Sequence, residues 1–148
     1  MTLKERLLED MKVAMKNKDS FRKNIISMVR AAILQVEKDT LKELDDDGVI
    51  GVITKEIKQR KEIIPEYEKG GRQDLIEKAN KEIEILMEYL PKQLTEDEIR
   101  ELVKQTINET GASGLKDMGK VMSVLMPKVK GKADGQVVNR IVKEYLQA

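Results

Sequence analysis

Apolar side chains recur three and four residues apart along almost the whole chain, which is the spacing of amphipathic helices. The first two stripes comprise Leu3, Leu7, Leu8, Met11 and Met15, and then Phe21, Ile25, Met28, Val29, Ala32, Ile33 and Val36. Thr2 and Glu5 form a capping-box pattern ahead of the first stripe, which should end near Asn17. Ser20 is placed to cap the second. The pattern predicts two helices at the start of the chain.

Two further stripes flank a glycine break and predict an antiparallel helix hairpin. They consist of Ile50, Ile53, Ile57, Ile64 and Tyr67, and of Ile76, Ala79, Ile83, Leu86 and Leu90, with Lys69-Gly70-Gly71-Arg72 between them. Pro65 lies inside the first arm and is expected to bend it. The preceding Asp45-Asp46-Asp47-Gly48 lacks the alternating ligands of a calcium loop, so we interpret it as a helix-capping acidic turn.

The last third of the chain carries three more stripes and predicts three more helices. They consist of Ile99, Leu102, Val103 and Ile107, of Met118, Val121, Met122, Leu125 and Met126, and of Val137, Val138, Ile141, Val142, Tyr145 and Leu146. Thr95 and Glu98 form a second capping box, and Leu94 and Ile99 a hydrophobic staple. The fifth helix should end before Gly111. The sixth should stop at Pro127, because proline lacks an N–H and disfavours helical geometry in the residue before it.

Helix-breaking residues are dense between Tyr89 and Leu94, and we place a domain boundary there. The prediction is an N-terminal helical domain with a long hairpin, residues 1–92, and a C-terminal three-helix domain, residues 93–148. No segment shows sustained period-two alternation, so the predicted fold class is all-α. A chain of 148 residues with 40% hydrophobic side chains is sufficient for such cores.

Composition excludes several kinds of chemistry. With neither Cys nor His, the chain has no disulfide, no Cys/His zinc site, no thiol nucleophile and no histidine base. No Walker A loop is present, and Gly111-Ala112-Ser113-Gly114 matches a KH-type loop without the sheet that a KH fold needs. We therefore predict no catalytic residue, no metal and no cofactor. The lack of a secretory signal or membrane-spanning run favours a cytoplasmic protein without a membrane partner.

Charge is balanced over the chain but not over its C-terminal part. The formal net charge is only +1, whereas basic residues predominate from Gly111 onward. The candidate RNA-binding residues are Lys116, Lys120, Lys128, Lys130, Lys132, Arg140 and Lys143. The lysines around Gly131 precede a helix N-terminus, an arrangement that holds phosphate. An ordinary solvated turn is the alternative, and Asp134 would itself occupy the helix cap.

Several short motifs resemble the signature of the YqeY family. They are Asp117-Met118-Gly119-Lys120-Val121-Met122, Met126-Pro127-Lys128-Val129-Lys130-Gly131-Lys132-Ala133-Asp134-Gly135, Asp10-Met11-Lys12, Lys58-Gln59-Arg60-Lys61 and Gly71-Arg72-Gln73-Asp74-Leu75. The C-terminal part of that family is similar to the tail of GatB, the tRNA-facing subunit of the glutamine-dependent amidotransferase that makes Asn-tRNA and Gln-tRNA. Lys132 stands where arginine is expected, which keeps the charge but loses the planar fork for phosphate. Pro65 is a second departure.

The resemblance implies a non-catalytic module that binds tRNA or assists a glutamine-dependent carbon–nitrogen ligase in translation. GatB's catalytic part has no counterpart in the chain, so any enzyme role would be accessory to that ligase, with glutamine as amido-N-donor. The expected partners are tRNA and an amidotransferase or aminoacyl-tRNA synthetase. Met118, Met122 and Met126 are most simply core residues, and the alternative is that part of this stripe is exposed and docks either protein.

Two alternatives remain open at this point. One is a helical protein–protein interaction module without RNA binding. The other is an unrecognised amidoligase, which would need a cleft with convergent acids. RNA contact predicts that Lys120, Lys128, Lys130, Lys132 and Arg140 converge on one surface, whereas a scattered arrangement favours the interaction module.

Overall fold

The computed structural model describes residues 1–147, which form seven α-helices and one 3₁₀ turn. The elements are α1 (Leu3–Lys16), α2 (Ser20–Thr40), α3 (Asp46–Lys69), α4 (Gln73–Met87), α5 (Glu96–Thr110), the 3₁₀ turn (Leu115–Asp117), α6 (Met118–Val129) and α7 (Gly135–Gln147). Residues 1–147 contain no β-strand. The all-α prediction is confirmed.

The chain divides into two compact units between Leu90 and Pro91. Pro91 and Lys92, which the sequence assigns to the first domain, are part of the second unit. Each unit has its own hydrophobic core. The fold of each unit is therefore accounted for by its own helices.

In the first unit, α1 packs mainly on α2, and α3 mainly on α4. The buried core consists of Leu7, Ile25, Ile26, Val29, Ile33, Val49, Ile53, Ile57, Ile85, Leu86 and Tyr89. Three predicted stripes differ from the core by one residue. Val49 rather than Ile50 is fully buried in α3, and Ala14 rather than Met15 in α1. In α2, Ile26 is buried, whereas the predicted Met28 is 40% exposed. A shift of one residue turns a helix face by about 100°, so a spacing of three and four fits more than one neighbouring register.

The helix starts of the first unit are capped by polar side chains. The capping box of Thr2 and Glu5 is present as predicted. The cap of α2 is Asp19, whose Oδ1 accepts the Arg22 N–H at 3.1 Å, and Ser20 is the first helical residue. The acidic turn caps α3, because Asp45 Oδ1 accepts the Gly48 N–H at 2.9 Å.

The hairpin is held by one ionic cluster as well as by its apolar faces. Arg60, which interrupts the apolar stripe of α3, donates to Glu56 Oε2 at 2.7 Å and to Glu82 Oε2 of α4 at 3.3 Å. Its side chain is only 13% exposed. α3 continues through Pro65, and Gly71, with φ +65°, makes the turn into α4.

The second unit packs α5, α6 and α7 around a core of Ile99, Val103, Val121, Leu125, Val129, Val138, Ile141, Val142 and Leu146. The capping box of Thr95 and Glu98 is present, and α5 ends at Gly111 in the left-handed conformation. The predicted end of α6 at Pro127 is wrong, since the helix continues to Val129. Pro127 removes only the bond to the carbonyl of Ser123, which lies on the exposed face, while Val129 anchors the last turn in the core.

Candidate nucleic-acid interface

The loop between α6 and α7 carries Lys130 and Lys132 on either side of a buried glycine. Gly131 adopts φ +73°, a conformation that side chains other than glycine rarely adopt. Its carbonyl accepts the Gln93 side-chain amide at 2.7 Å, and the Lys132 carbonyl accepts the Leu94 N–H at 2.8 Å. The loop is thus fixed at two consecutive residues by the segment that precedes α5.

The N-terminus of α7 is already capped. Asp134 Oδ1 accepts the Gln136 N–H at 2.8 Å, as the sequence predicted. A phosphate approaching this helix end would meet the Asp134 carboxylate, which already occupies the Gln136 N–H. The loop lysines, rather than the helix N-terminus, are therefore the available anion contacts.

All seven predicted residues are exposed, and they lie in four separate parts of the second unit. Lys120 and Lys128 share the outward face of α6, about 12 Å apart along its axis. Lys130 and Lys132 lie on the fixed loop. Lys116 lies in the 3₁₀ turn, and the remaining pair, Arg140 and Lys143, lies on the exposed face of α7.

Arg140 is engaged in a closed ring of charges between α5 and α7. It donates to Glu96 at 3.1 Å and to Glu144 at 3.1 Å. Arg100 donates to the same two carboxylates at 3.0 and 3.2 Å. The hydrogen bond from Arg140, followed by that from Arg100, lowers the pKa of Glu96. The ring has no net charge, so Arg140 contributes little positive potential.

Two of the seven candidates have a carboxylate partner. Besides Arg140, Lys128 Nζ lies 3.2 Å from Glu109 Oε2. Within residues 1–147, no carboxylate lies within ion-pair distance of the other five, Lys116, Lys120, Lys130, Lys132 and Lys143. The pKa of Asp117 is lowered mainly by the hydrogen bond from the Ser113 N–H, and the charges of Lys116 and Lys120 lower it further.

Acidic side chains lie next to the loop as well. Leu94, which binds the Lys132 carbonyl, is followed by the first turn of α5 with exposed Glu96, Asp97 and Glu98. Some of the positive potential of the loop is offset by these carboxylates.

Sequence reasoning did not identify Gln93 as part of this site. The residue lies between helices, 38 positions from Gly131, and belongs to no periodic pattern. Only Gly131 and Gly135 indicated that the loop has a backbone conformation that other residues avoid.

A cleft in the first unit gathers acids, as an amidoligase would require. It has a volume of about 630 Å³ and is lined by Thr2, Lys4, Glu5, Glu43, Leu44, Asp45, Asp46 and Asp47. Three of its five carboxylates accept backbone N–H groups: Asp45 that of Gly48, Asp46 that of Leu3 at 2.9 Å, and Glu5 that of Thr2. These three acids are accounted for by bonds to backbone N–H groups at the starts of α1 and α3.

The fold and the loop define a small helical protein with a fixed, lysine-bearing turn. The family profile described as Yqey-like protein matches residues 4–146. The chain belongs to the YqeY family. This confirms the resemblance that the sequence motifs indicated.

Relatives of two kinds match this chain. "Altered inheritance of mitochondria protein 41, mitochondrial" of Pyrenophora tritici-repentis is 32% identical over 97% of this chain and 80% of its own length. The protein of the same name from Kluyveromyces lactis is 43% identical over 56% of this chain, and the match spans 45% of that relative. The E subunit of glutamyl-tRNA(Gln) amidotransferase from Methanobrevibacter smithii is 38% identical over 36% of this chain and 9% of its own length.

The expected cytoplasmic location is wrong by this comparison, because relatives matching most or half of the chain are named as mitochondrial proteins. The expectation rested on the lack of a secretory signal and of an apolar run. Neither observation separates one aqueous compartment from another. In residues 1–147, no helix is both long enough and apolar enough to cross a membrane.

Proposed function

We propose that this protein is a non-catalytic module that binds tRNA through phosphate contacts and assists a glutamine-dependent tRNA amidotransferase. The observation that carries the proposal is the fixed loop with Lys130 and Lys132. Its backbone is held by Gln93 and Leu94, and its two cations have no carboxylate partner among residues 1–147. Because the loop backbone is already fixed, only the lysine side chains lose conformational freedom when they meet a phosphate.

The similarity to the amidotransferase supports the nature of the partner. The relative from Methanobrevibacter smithii is named for the tRNA it acts on, and the match covers only a small part of it. A second protein of that name, from Methanococcus maripaludis, is 29% identical over 62% of this chain and 15% of its own length. A segment shared with a much larger tRNA enzyme fits an accessory binding role better than the whole reaction.

The charges define how RNA would be held. Lys130 and Lys132 are the primary contacts, and the exposed Lys116, Lys120 and Lys143, which also have no ion-pair partner in residues 1–147, are the candidates for further phosphate contacts. Arg140 is assigned to the ring with Glu96 and Glu144 instead. With 3% aromatic residues and no Trp, the chain offers few stacking platforms. Recognition would then depend on backbone and shape rather than on base edges.

The test is binding of fluorescent tRNA to the full chain across a salt series, with an unrelated folded RNA of equal length as competitor. The double variant Lys130→Ala/Lys132→Ala should weaken tRNA binding and reduce the slope of log K against log salt by about 1.5. Lys12→Ala/Lys16→Ala is the matched control, because both lysines are exposed on α1 and their removal takes the same charge from the first unit.

Each outcome decides between the alternatives. Selective tRNA binding that weakens only in the loop variant supports the proposal. Equal losses in both double variants would mean that net charge alone attracts RNA, and the loop assignment would be abandoned. No binding to either RNA would favour the protein–protein interaction module.

A further inference from the structure

The outward face of α2 is unusual in this highly charged chain. Charged residues make up 37% of the sequence, yet Arg30 is the single one between Ile25 and Val36. The core accounts for only one side of this stretch, since Met28 and Leu34 are 40% and 52% exposed and Ala31 is exposed too. Solvated helix faces elsewhere in the chain carry lysines and glutamates, so this face lacks the usual charges.

This face borders a groove between α1 and α2. The groove has a volume of about 530 Å³, and its lining includes Leu8, Ser27, Arg30, Ala31, Leu34 and Glu37. The apolar side chains form its walls, and the ion pair of Lys4 with Glu37, at 2.6 Å, lies at its border. An apolar groove between two antiparallel helices is a typical binding site for a third, amphipathic helix.

Arg30 is a cation of this groove without a carboxylate partner in residues 1–147. The residue is half-buried, and the one polar contact of its guanidinium within residues 1–147 is the Met11 sulfur at 3.4 Å, a weak acceptor. No carboxylate of residues 1–147 lies within ion-pair distance of it. A partner that covered the groove would take this cation out of water, which is costly unless the partner brings an anion to pair with it.

The two carboxylates of the groove cannot fill this role, because each is already engaged. Glu37 accepts Lys4 Nζ and the Leu44 N–H at 2.7 Å, and the bond from Lys4 lowers its pKa. Glu5 accepts the Thr2 N–H in the capping box. The missing anion must therefore come from outside the unit.

We propose that the groove between α1 and α2 binds an amphipathic helix of a partner protein that places an Asp or Glu against Arg30. A second copy of this chain fits less well, because a symmetric contact through this face would set Arg30 against Arg30. A nucleic acid fits less well too, since the face offers a single unpaired cation among apolar side chains. The proposal concerns the first unit and does not depend on RNA binding by the loop.

The test is a selection of displayed helical peptides against the full chain. The library contains peptides of about 16 residues, enough for four turns, with leucines fixed on one face and the other positions randomised. Selected peptides should carry an acidic residue at one position of the leucine face. Their affinity should fall at least tenfold for Arg30→Glu and for Leu34→Gln.

Lys38→Glu is the matched control, because it reverses an exposed charge on the same helix outside the groove lining. It should leave the affinity unchanged, and circular dichroism should show equal helicity in all variants. Replacing the acid of the peptide by lysine should restore binding to Arg30→Glu. Rescue of this kind requires direct contact and would not follow from a change in fold.

Several results would overturn the proposal. These are a selection that yields no binder, binders without acidic preference, or binders indifferent to Arg30→Glu. Dimerisation of the protein alone that Leu34→Gln abolishes would assign the face to a second copy. Binding to uncharged phosphatidylcholine vesicles that the same variant abolishes would assign it to lipid.

Discussion

The side-chain amide of Gln93 donates to the carbonyl of Gly131 at 2.7 Å and joins the start of the second unit to the lysine loop. Gln93→Ala leaves this buried carbonyl without its partner and should lower the free energy of unfolding by about 1–3 kcal/mol. Chemical denaturation measures the loss, and Gln105→Ala, on the exposed face of α5, is the control. A loss no larger than that of the control would show that the bond does not hold the loop.

Two glycines of the second unit should respond to the same substitution with opposite sign. Gly111 ends α5 with φ +68°, so Gly111→Ala places a side chain in the left-handed region and should destabilise by about 1 kcal/mol. Gly119 lies within α6, and Gly119→Ala should stabilise by about 0.5–1 kcal/mol. Neither added methyl meets an atom within 4 Å beyond its chain neighbours and the local helix backbone, so the difference is conformational. Thermal unfolding would contradict this if both changes had the same sign.

Tyr89 gives the first unit an alkaline sensitivity. Its hydroxyl donates to Asp10 Oδ2 at 2.5 Å, and burial followed by this bond raises its pKa well above the ordinary 10.0. A raised pKa means that the folded state favours the neutral phenol. The stabilisation is thus complete below pH 10 and lost as the pH rises above it.

Tyr89→Phe tests this relationship. It should cost about 1.5 kcal/mol at neutral pH, the lower end for a bond to a charged acceptor, because Asp10 retains access to solvent. It should also flatten the decline in stability above pH 10. The phenolate absorbance difference between wild type and variant should appear only together with unfolding, and its appearance in the folded protein would contradict the prediction.

Arg140 should matter more for the stability of the second unit than for RNA. Because its hydrogen bond lowers the pKa of Glu96, that carboxylate stabilises the fold above its ordinary 4.5, and the contribution is lost as the pH falls below that value. Glu96→Gln should therefore flatten the acid limb of the stability curve, whereas Glu84→Gln, an exposed control, should not. Arg140→Ala should change the tRNA salt slope less than either loop lysine does, and an equal change would return Arg140 to the interface.

The helices were predictable because their signals are local. Both capping boxes link residues three apart, and each apolar stripe repeats within one or two turns. The errors arose where packing or capping favoured a neighbouring residue, or where packing in the core outweighed a local helix-ending signal. Asp19 caps α2 in place of Ser20, Val49 is buried in place of Ile50, and α6 runs past Pro127 because Val129 packs in the core.

The sequence by itself determined the all-α class, the position of most helices, the family and the basic character of the last third of the chain. Tertiary structure decided which cations remain unpaired. Arg140 meets Glu96 across 44 residues, and Gln93 meets Gly131 across 38. Helical periodicity and capping act within a few residues, whereas pairing of charges and fixing of a loop depend on which distant side chains the packed helices bring together.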